Sequence, residues 1–249
     1  MTSKTPRARS RRDYVTAGLA SMMGTTIEWY DFFLYGTAAA LIFNKIFFPS
    51  FDPLTGTLAA FATYSVGFFA RPLGGVIFGH YGDRIGRKSM LLITLLLMGV
   101  PTILIGLIPS YEQIGYWAAV LLVLMRFLQG IAVGGEWGGA VLMAVEHAPE
   151  GKKGFFGSLP QAGVAPGLIL SSLAMGAVAA LPEADMLAWG WRLPFLASVV
   201  LLLVGWFIRV KVAESPDFEQ MREQGAKVEV PVAVVLKHHR RALLTVVGA

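Results

Sequence analysis

Glu28, Asp31 and Tyr35 follow one another at intervals of three and four residues, so a helix would carry all of them on one face. The surrounding run is apolar, and an ionised carboxylate held at the middle of a bilayer is disfavoured by roughly a few kcal/mol or more, so such a group faces a cavity or a partner. Arg126, inside another apolar run, is the natural partner for Asp31. Counting a rise of about 1.5 Å per residue from the ends of the two runs brings them to nearly the same depth. Burial disfavours the carboxylate's charge and the guanidinium favours it, so opening the pair would let a proton on or off Asp31. That is the chemistry of a proton switch, with Glu28 assisting. A static ion pair and, for Glu28, a helix-to-helix hydrogen bond are the structural alternatives.

Other polar residues stand in apolar surroundings. Arg71 precedes Pro72, whose missing N–H loosens a helix locally, and either binds a substrate carboxylate or extends its head to the membrane surface. Tyr35, Gln129, Glu136 and Gln161 are the remaining substrate-binding candidates, open for the last three between a cavity and helix-to-helix hydrogen bonds. The stretch Gly79-His80-Tyr81-Gly82-Asp83-Arg84-Ile85-Gly86-Arg87-Lys88 reads as a tight charged loop. There Gly79, Asp83, Arg84, Gly86, Arg87 and Lys88 are candidates for gating, and Glu146 is placed to latch onto Arg84 or Arg87 or to remain a solvated interfacial acid. Glycines at multiples of four (Gly67, Gly75, Gly79; Gly130, Gly134, Gly138; Gly163, Gly167) predict close helix packing. The chain has no cysteine, and His80, His147, His238 and His239 share no ligand spacing, so no metal or cofactor is expected. No serine, histidine and acid set at one depth suggests an enzyme.

These residues must be positioned by helices in lipid. Of 249 residues 55% are hydrophobic and 15% charged, with mean hydropathy +0.60, against roughly 25% charged in soluble domains. Apolar runs fall near Thr16 to Phe43, Leu58 to Phe78, Met90 to Ile108, Trp117 to Val145, Phe155 to Leu181 and Leu193 to Val210. Each is long enough to cross about 30 Å of hydrocarbon as helix, which predicts an all-α membrane protein with a six-transmembrane-helix bundle over residues 16–210. Lys and Arg alternate sharply between connections: five in the N-terminal segment, then Arg84, Arg87 and Lys88, then Lys152 and Lys153, then seven from Arg209 to Arg241, against only Lys45 and Arg192 on the other side. The positive-inside rule makes both ends cytoplasmic, and basic residues so distributed mark topology and not nucleic acid. Residues 1–15 read as a basic cytoplasmic N-terminus without a cleavable signal pattern. Residues 211–241, with Pro216 and Pro231, read as a cytoplasmic linker, and 242–249 as the start of a truncated seventh helix.

The Gly79–Lys88 pattern resembles the signature loop of the major facilitator superfamily, implicated there in gating between inward-open and outward-open states. Arg126-Phe127-Leu128-Gln129-Gly130 resembles the family's proton-coupling element. Ile27 to Phe32, Gly157 to Gln161, Gly190 to Phe195 and Glu214-Ser215-Pro216 with Phe218 are similar to the metabolite:proton symporters, carriers of α-ketoglutarate, citrate, shikimate, proline or betaine. The resemblance implies the N-terminal half of a twelve-helix fold in the inner membrane. It also implies symport of a small polar metabolite, an organic acid or zwitterion, with protons, by alternating access between two bundles. Some sugar porters of the superfamily have a comparable acid and arginine in their coupling. The expected partners are lipid, substrate, protons, and a complementary C-terminal half or a second copy. A non-transporting membrane sensor or interaction module, or an inactive half, is the rival.

Overall fold

The structure, a computed structural model, describes residues 11–214 and 218. Six long rods carry the chain back and forth: α1 (Arg11–Ala38), α2 (Pro53–Ile85), α3 (Arg87–Leu107), α4 (Tyr116–His147), α5 (Lys153–Ala179) and α6 (Arg192–Val210). There is no strand among the described residues. α3 to α6 are apolar and long enough to cross a membrane by length and composition alone. α1 and α2 have the length, 28 and 33 residues, but hold Glu28 and Asp31 in one and Arg71, Asp83 and Arg84 in the other. The expected linker and seventh-helix start lie outside the described residues except 211–214 and 218, and α1 already begins at Arg11, inside the segment expected as a basic terminus.

α1 is prolonged by a π-helical turn, Ala39–Phe43, and a short helix, Asn44–Phe47. This brings Phe43 and Phe47 edge-on against Trp191 at the start of α6. Together with Leu34, Ile105, Leu122 and Phe195 they fill a buried core at the Lys45 end of the bundle. Ile27, Leu95, Met98, Ala132 and Leu202 pack the middle, and Ala17, Ala20, Leu91, Ala140 and Met143 the opposite end. At the first end Asp52 caps α2, accepting from the amides of Leu54 and Thr55, and hydrogen bonds from Thr55 hold its carboxyl below the usual carboxylate range. Outward-facing Phe69, Leu173, Leu203 and Phe207 are exposed, as lipid-facing positions require.

The tight loop expected from Gly79 to Lys88 is a correction. α2 stays helical through Ile85 and α3 begins at Arg87, leaving Gly86 as the whole joint. Gly86 has φ +99°, a conformation that only glycine adopts without strain. The residues before it are polar because the helix has left the apolar layer, not because it has ended; charge clusters mark the edge of the bilayer, and the true breaker is the one glycine.

The tightest seam joins α2 and α4. Gly130 faces the Gly67 carbonyl, Gly134 the Arg71 carbonyl, and Gly74 the Ile131 carbonyl; Gly163 and Gly167 seat α5 on Met22, Thr26 and Tyr30 of α1. Gly79 and Gly138 face open space, so two rungs of the expected ladders are not contacts, while Gly74 is one. Gly130→Ala, whose Cβ would lie 2.8 Å from that of Ala70, is expected to destabilise by about 1–3 kcal/mol. Gly138→Ala should be neutral or slightly stabilising. Thermal unfolding in detergent separates the two.

Candidate functional site

Asp31 of α1 and Arg126 of α4 meet in the middle of the bundle, Nη1 to Oδ2 2.8 Å, each only 5% exposed. The two residues are paired at one depth, as the helical rise from the ends of their apolar runs predicts. The remaining valences are filled locally. Asp31 Oδ1 accepts from Thr102 Oγ1 and from Gln129 Nε2, both at 2.8 Å. Gln129 Oε1 accepts from the same Arg126 Nη1 at 2.7 Å, and Gln129 Nε2 also lies 2.9 Å from Thr102 Oγ1. Three donors thus converge on the Asp31 carboxylate, two on Oδ1 and one on Oδ2, of its roughly four lone-pair sites.

Arg126 also lies over aromatic faces, its Cζ 4.1 Å from the Tyr35 centroid and 5.0 Å from that of Tyr64. The two tyrosine rings stack at 5.6 Å, and the Tyr35 hydroxyl pairs with Thr63 at 2.5 Å. Such contacts stabilise a desolvated guanidinium by about 0.5–2 kcal/mol each. Tyr35 is thus a fully buried support for the arginine, not a cavity-lining residue.

Beside this cluster is a small pocket bounded by Glu28, Asp31, Phe32, Phe68, Arg71 and Gln129, among others, with about 10 Å3 of accessible space, room for about one water. Glu28 is buried, and its Oε2 has no hydrogen-bond partner among the described residues. Arg71 reaches the pocket with its guanidinium over Phe68 at 4.6 Å and Phe32 at 6.0 Å. Phe68 precedes Arg71 by one helical turn, a spacing that could have flagged the contact.

Glu136 does not reach this pocket. One to two turns nearer the Arg87 end, it is buried in an ion pair with Arg209 of α6 and accepts from Thr94 at 2.6 Å. Arg209 also donates to the Leu91 carbonyl. Gln161 is exposed on α5 and outside the pocket lining. Of the substrate candidates, then, Arg71 and Gln129 are at the pocket; Tyr35, Glu136 and Gln161 are not. Thr94 and Thr102 escaped sequence reading, yet their spacing of eight on an otherwise apolar helix puts both on one face, each meeting a carboxylate.

At the joint between α2 and α3, Arg87 forms an ion pair with Glu146, choosing between the two expected arginines. Arg84 is exposed. Glu214 accepts from the backbone amides of Arg87 and Lys88 at 3.0 and 3.1 Å, and Lys88 reaches the Val210 carbonyl at 2.6 Å. The end of α6 is thereby tied to the start of α3. Asp83 occupies the last turn of α2 and not a loop. Among the described residues no group of histidines and acids could hold a metal.

The described residues thus form a six-helix bundle with a buried acid–arginine pair at mid-depth and a single glycine joining α2 to α3. The chain belongs to the sugar (and other) transporter family, whose sequence profile matches residues 16–229, within the major facilitator superfamily; the family is one of transporters, not enzymes, and the chain is a multi-pass inner-membrane protein. It is 50% identical over 244 residues to the shikimate transporter of Escherichia coli (97% of this chain, 55% of that protein). It is 41% identical over 239 residues to the glycine betaine/proline/ectoine/pipecolic acid transporter OusA of Dickeya dadantii (92% of this chain, 48% of that protein). The chain spans about half the length of the curated relatives it matches. Among solved structures, the proton:xylose symporter XylE superposes with TM-score 0.74 at 18% identity, over 85% of this chain and 47% of that one, which shows the shared fold.

Proposed function

We propose that this bundle is the N-terminal half of a proton-coupled symporter of a small polar metabolite, an organic acid or a zwitterion. It works by alternating access against a second six-helix bundle, either a complementary half or a second copy. Asp31 is the protonation site, Arg126 the counter-ion that responds to it, and Glu28 an auxiliary carboxylate. Arg71 receives the substrate carboxylate, and Gln129 carries the state of the ion pair to the pocket edge. Glu146, Arg87 and Glu214, around Gly86, hold the cytoplasmic side closed, and residues 211–241 connect the bundles. The carrying observation is the Asp31–Arg126–Gln129–Thr102 cluster, which is buried yet borders the same pocket as Arg71. About 10 Å3 does not hold a metabolite, so its room comes from the gap between bundles. Relatives named for shikimate and for betaine and proline bracket the substrate class.

The test is uptake of labelled shikimate, other carboxylates, proline and betaine into proteoliposomes, with this chain alone and with it joined to a complementary half. Accumulation of one solute, only under an inward proton gradient and only with the second bundle, is the expected result. Equal uptake with and without the gradient would remove proton coupling from the proposal.

A further inference from the structure

Positive-inside sorting strips the outer face of cations, and only Lys45 and Arg192 remain there. Both line one cavity of about 370 Å3, together with Glu112, Gln113 and Trp191. It lies between the end of the α1 extension, the turn joining α3 to α4 and the start of α6, at the opposite end of the bundle from Arg87. Its size falls in the range of small-ligand sites, roughly 300–1,000 Å3.

The donors are only partly used. Arg192 commits Nη1 to the carbonyls of Gly106 and Ile108 at 2.8 and 2.7 Å and lays its guanidinium over the Trp191 ring, Cζ 4.5 Å from the centroid; its other nitrogens make no hydrogen bond among the described residues. Lys45 pairs with Glu183 at 2.5 Å, but both are half-exposed or more, so the pair holds its ammonium weakly. The Trp191 indole N–H is buried without an acceptor among the described residues. Facing these donors, Glu112 adds a negative charge at the same cavity. The lining therefore suits a ligand with both an anionic group and an N–H-bearing cation, and opposes one that is purely anionic.

The setting indicates where that ligand comes from. Tyr116, Trp117 and Trp189 are exposed at the same end, as belts at the headgroup level are. Leu107 and Leu193, next in sequence to Ile108 and Arg192, are also exposed. We propose that this cavity binds the headgroup of a phosphoethanolamine lipid of the outer leaflet, with the phosphate on Lys45 and Arg192 and the ammonium on Glu112. The acyl chains lie along Leu107 and Leu193. Such a lipid clamps the outer ends of α1, α4 and α6 together.

The experiment is lipid binding to the purified chain in detergent, by native mass spectrometry and thermal unfolding, with phosphatidylethanolamine, phosphatidylcholine and phosphatidylglycerol of matched acyl chains. Phosphatidylethanolamine is expected to bind about tenfold more tightly than the other two, because only it offers N–H donors to a carboxylate and a phosphate to the cations. At exposed positions that leave folding intact, Glu112→Gln should erase that preference and Lys45→Gln should weaken binding of all three lipids, while Lys152→Gln at the other end should do neither. Equal retention of all three lipids, a preference untouched by Glu112→Gln, or binding untouched by Lys45→Gln would overturn the site. An equal stabilisation by soluble phosphoethanolamine at the same concentration would overturn the lipid source.

Discussion

Asp31→Asn is expected to abolish proton-driven accumulation while leaving exchange of substrate across the membrane largely intact. The substitution is nearly isosteric, and its amide can still meet Thr102 and Gln129, which bond Asp31 at 2.8 Å. What it removes is the charge opposite Arg126 and the capacity to take and release a proton. Deleting one partner of a buried pair commonly destabilises by about 3–5 kcal/mol. Here the arginine retains Gln129 and the faces of Tyr35 and Tyr64, so the variant should fold. The measurement is paired, in proteoliposomes containing both bundles: accumulation under an inward proton gradient, and counterflow of labelled substrate without one. Loss of the first with survival of the second assigns Asp31 to coupling. Loss of both with a lowered unfolding temperature would return the pair to a structural role, and survival of both would shift coupling to Glu28.

The pairing of Asp31 with Arg126 was legible because it depends on two quantities that a sequence carries: which residues are charged, and how many helical rises separate them from the end of an apolar run. Helix identity and number were legible for the same reason. What was not legible depends on rotation about the helix axis and on which helices touch. Thr102 and Tyr64 look like ordinary members of apolar runs until α3 and α2 are packed against α1. Tyr35 shares a face with Asp31, as the spacing required, but that face is covered by α2 and α4 at its level and opens to the pocket only near Glu28. The stretch 79–85 reads as a loop because its polarity resembles the end of a helix, whereas it marks the end of the membrane. Arg209 is a second case. Next to Lys211, it reads as one more cytoplasmic flank, yet it turns back into the bundle and is only 3% exposed.

That misreading makes the Glu136–Arg209 pair the most informative stability test in the protein. Both groups are nearly inaccessible, at 1% and 3% exposure, and they join α4 to α6 at the level where Gly24 of α1 leaves room for them. A cavity residue could lose its charge with little effect on folding; a buried ionic tie could not. Glu136→Leu or Arg209→Leu alone should destabilise the bundle by about 3–5 kcal/mol, because each leaves an opposite charge unpaired in a low-dielectric interior. The double variant should recover much of that loss, since the two effects share one interaction and do not add. It should not recover all of it, because Thr94 and the Leu91 carbonyl then keep only each other, at 3.2 Å. Denaturant unfolding of the four proteins in detergent reads the cycle directly. Strong coupling between the sites makes the pair a strut that keeps α4 and α6 moving as one body, so that a change at Asp31 on α1 can tilt the bundle as a unit. Independent, small effects would instead release Glu136 for the transport pathway, and the rigid half-bundle that alternating access requires would need another fastening.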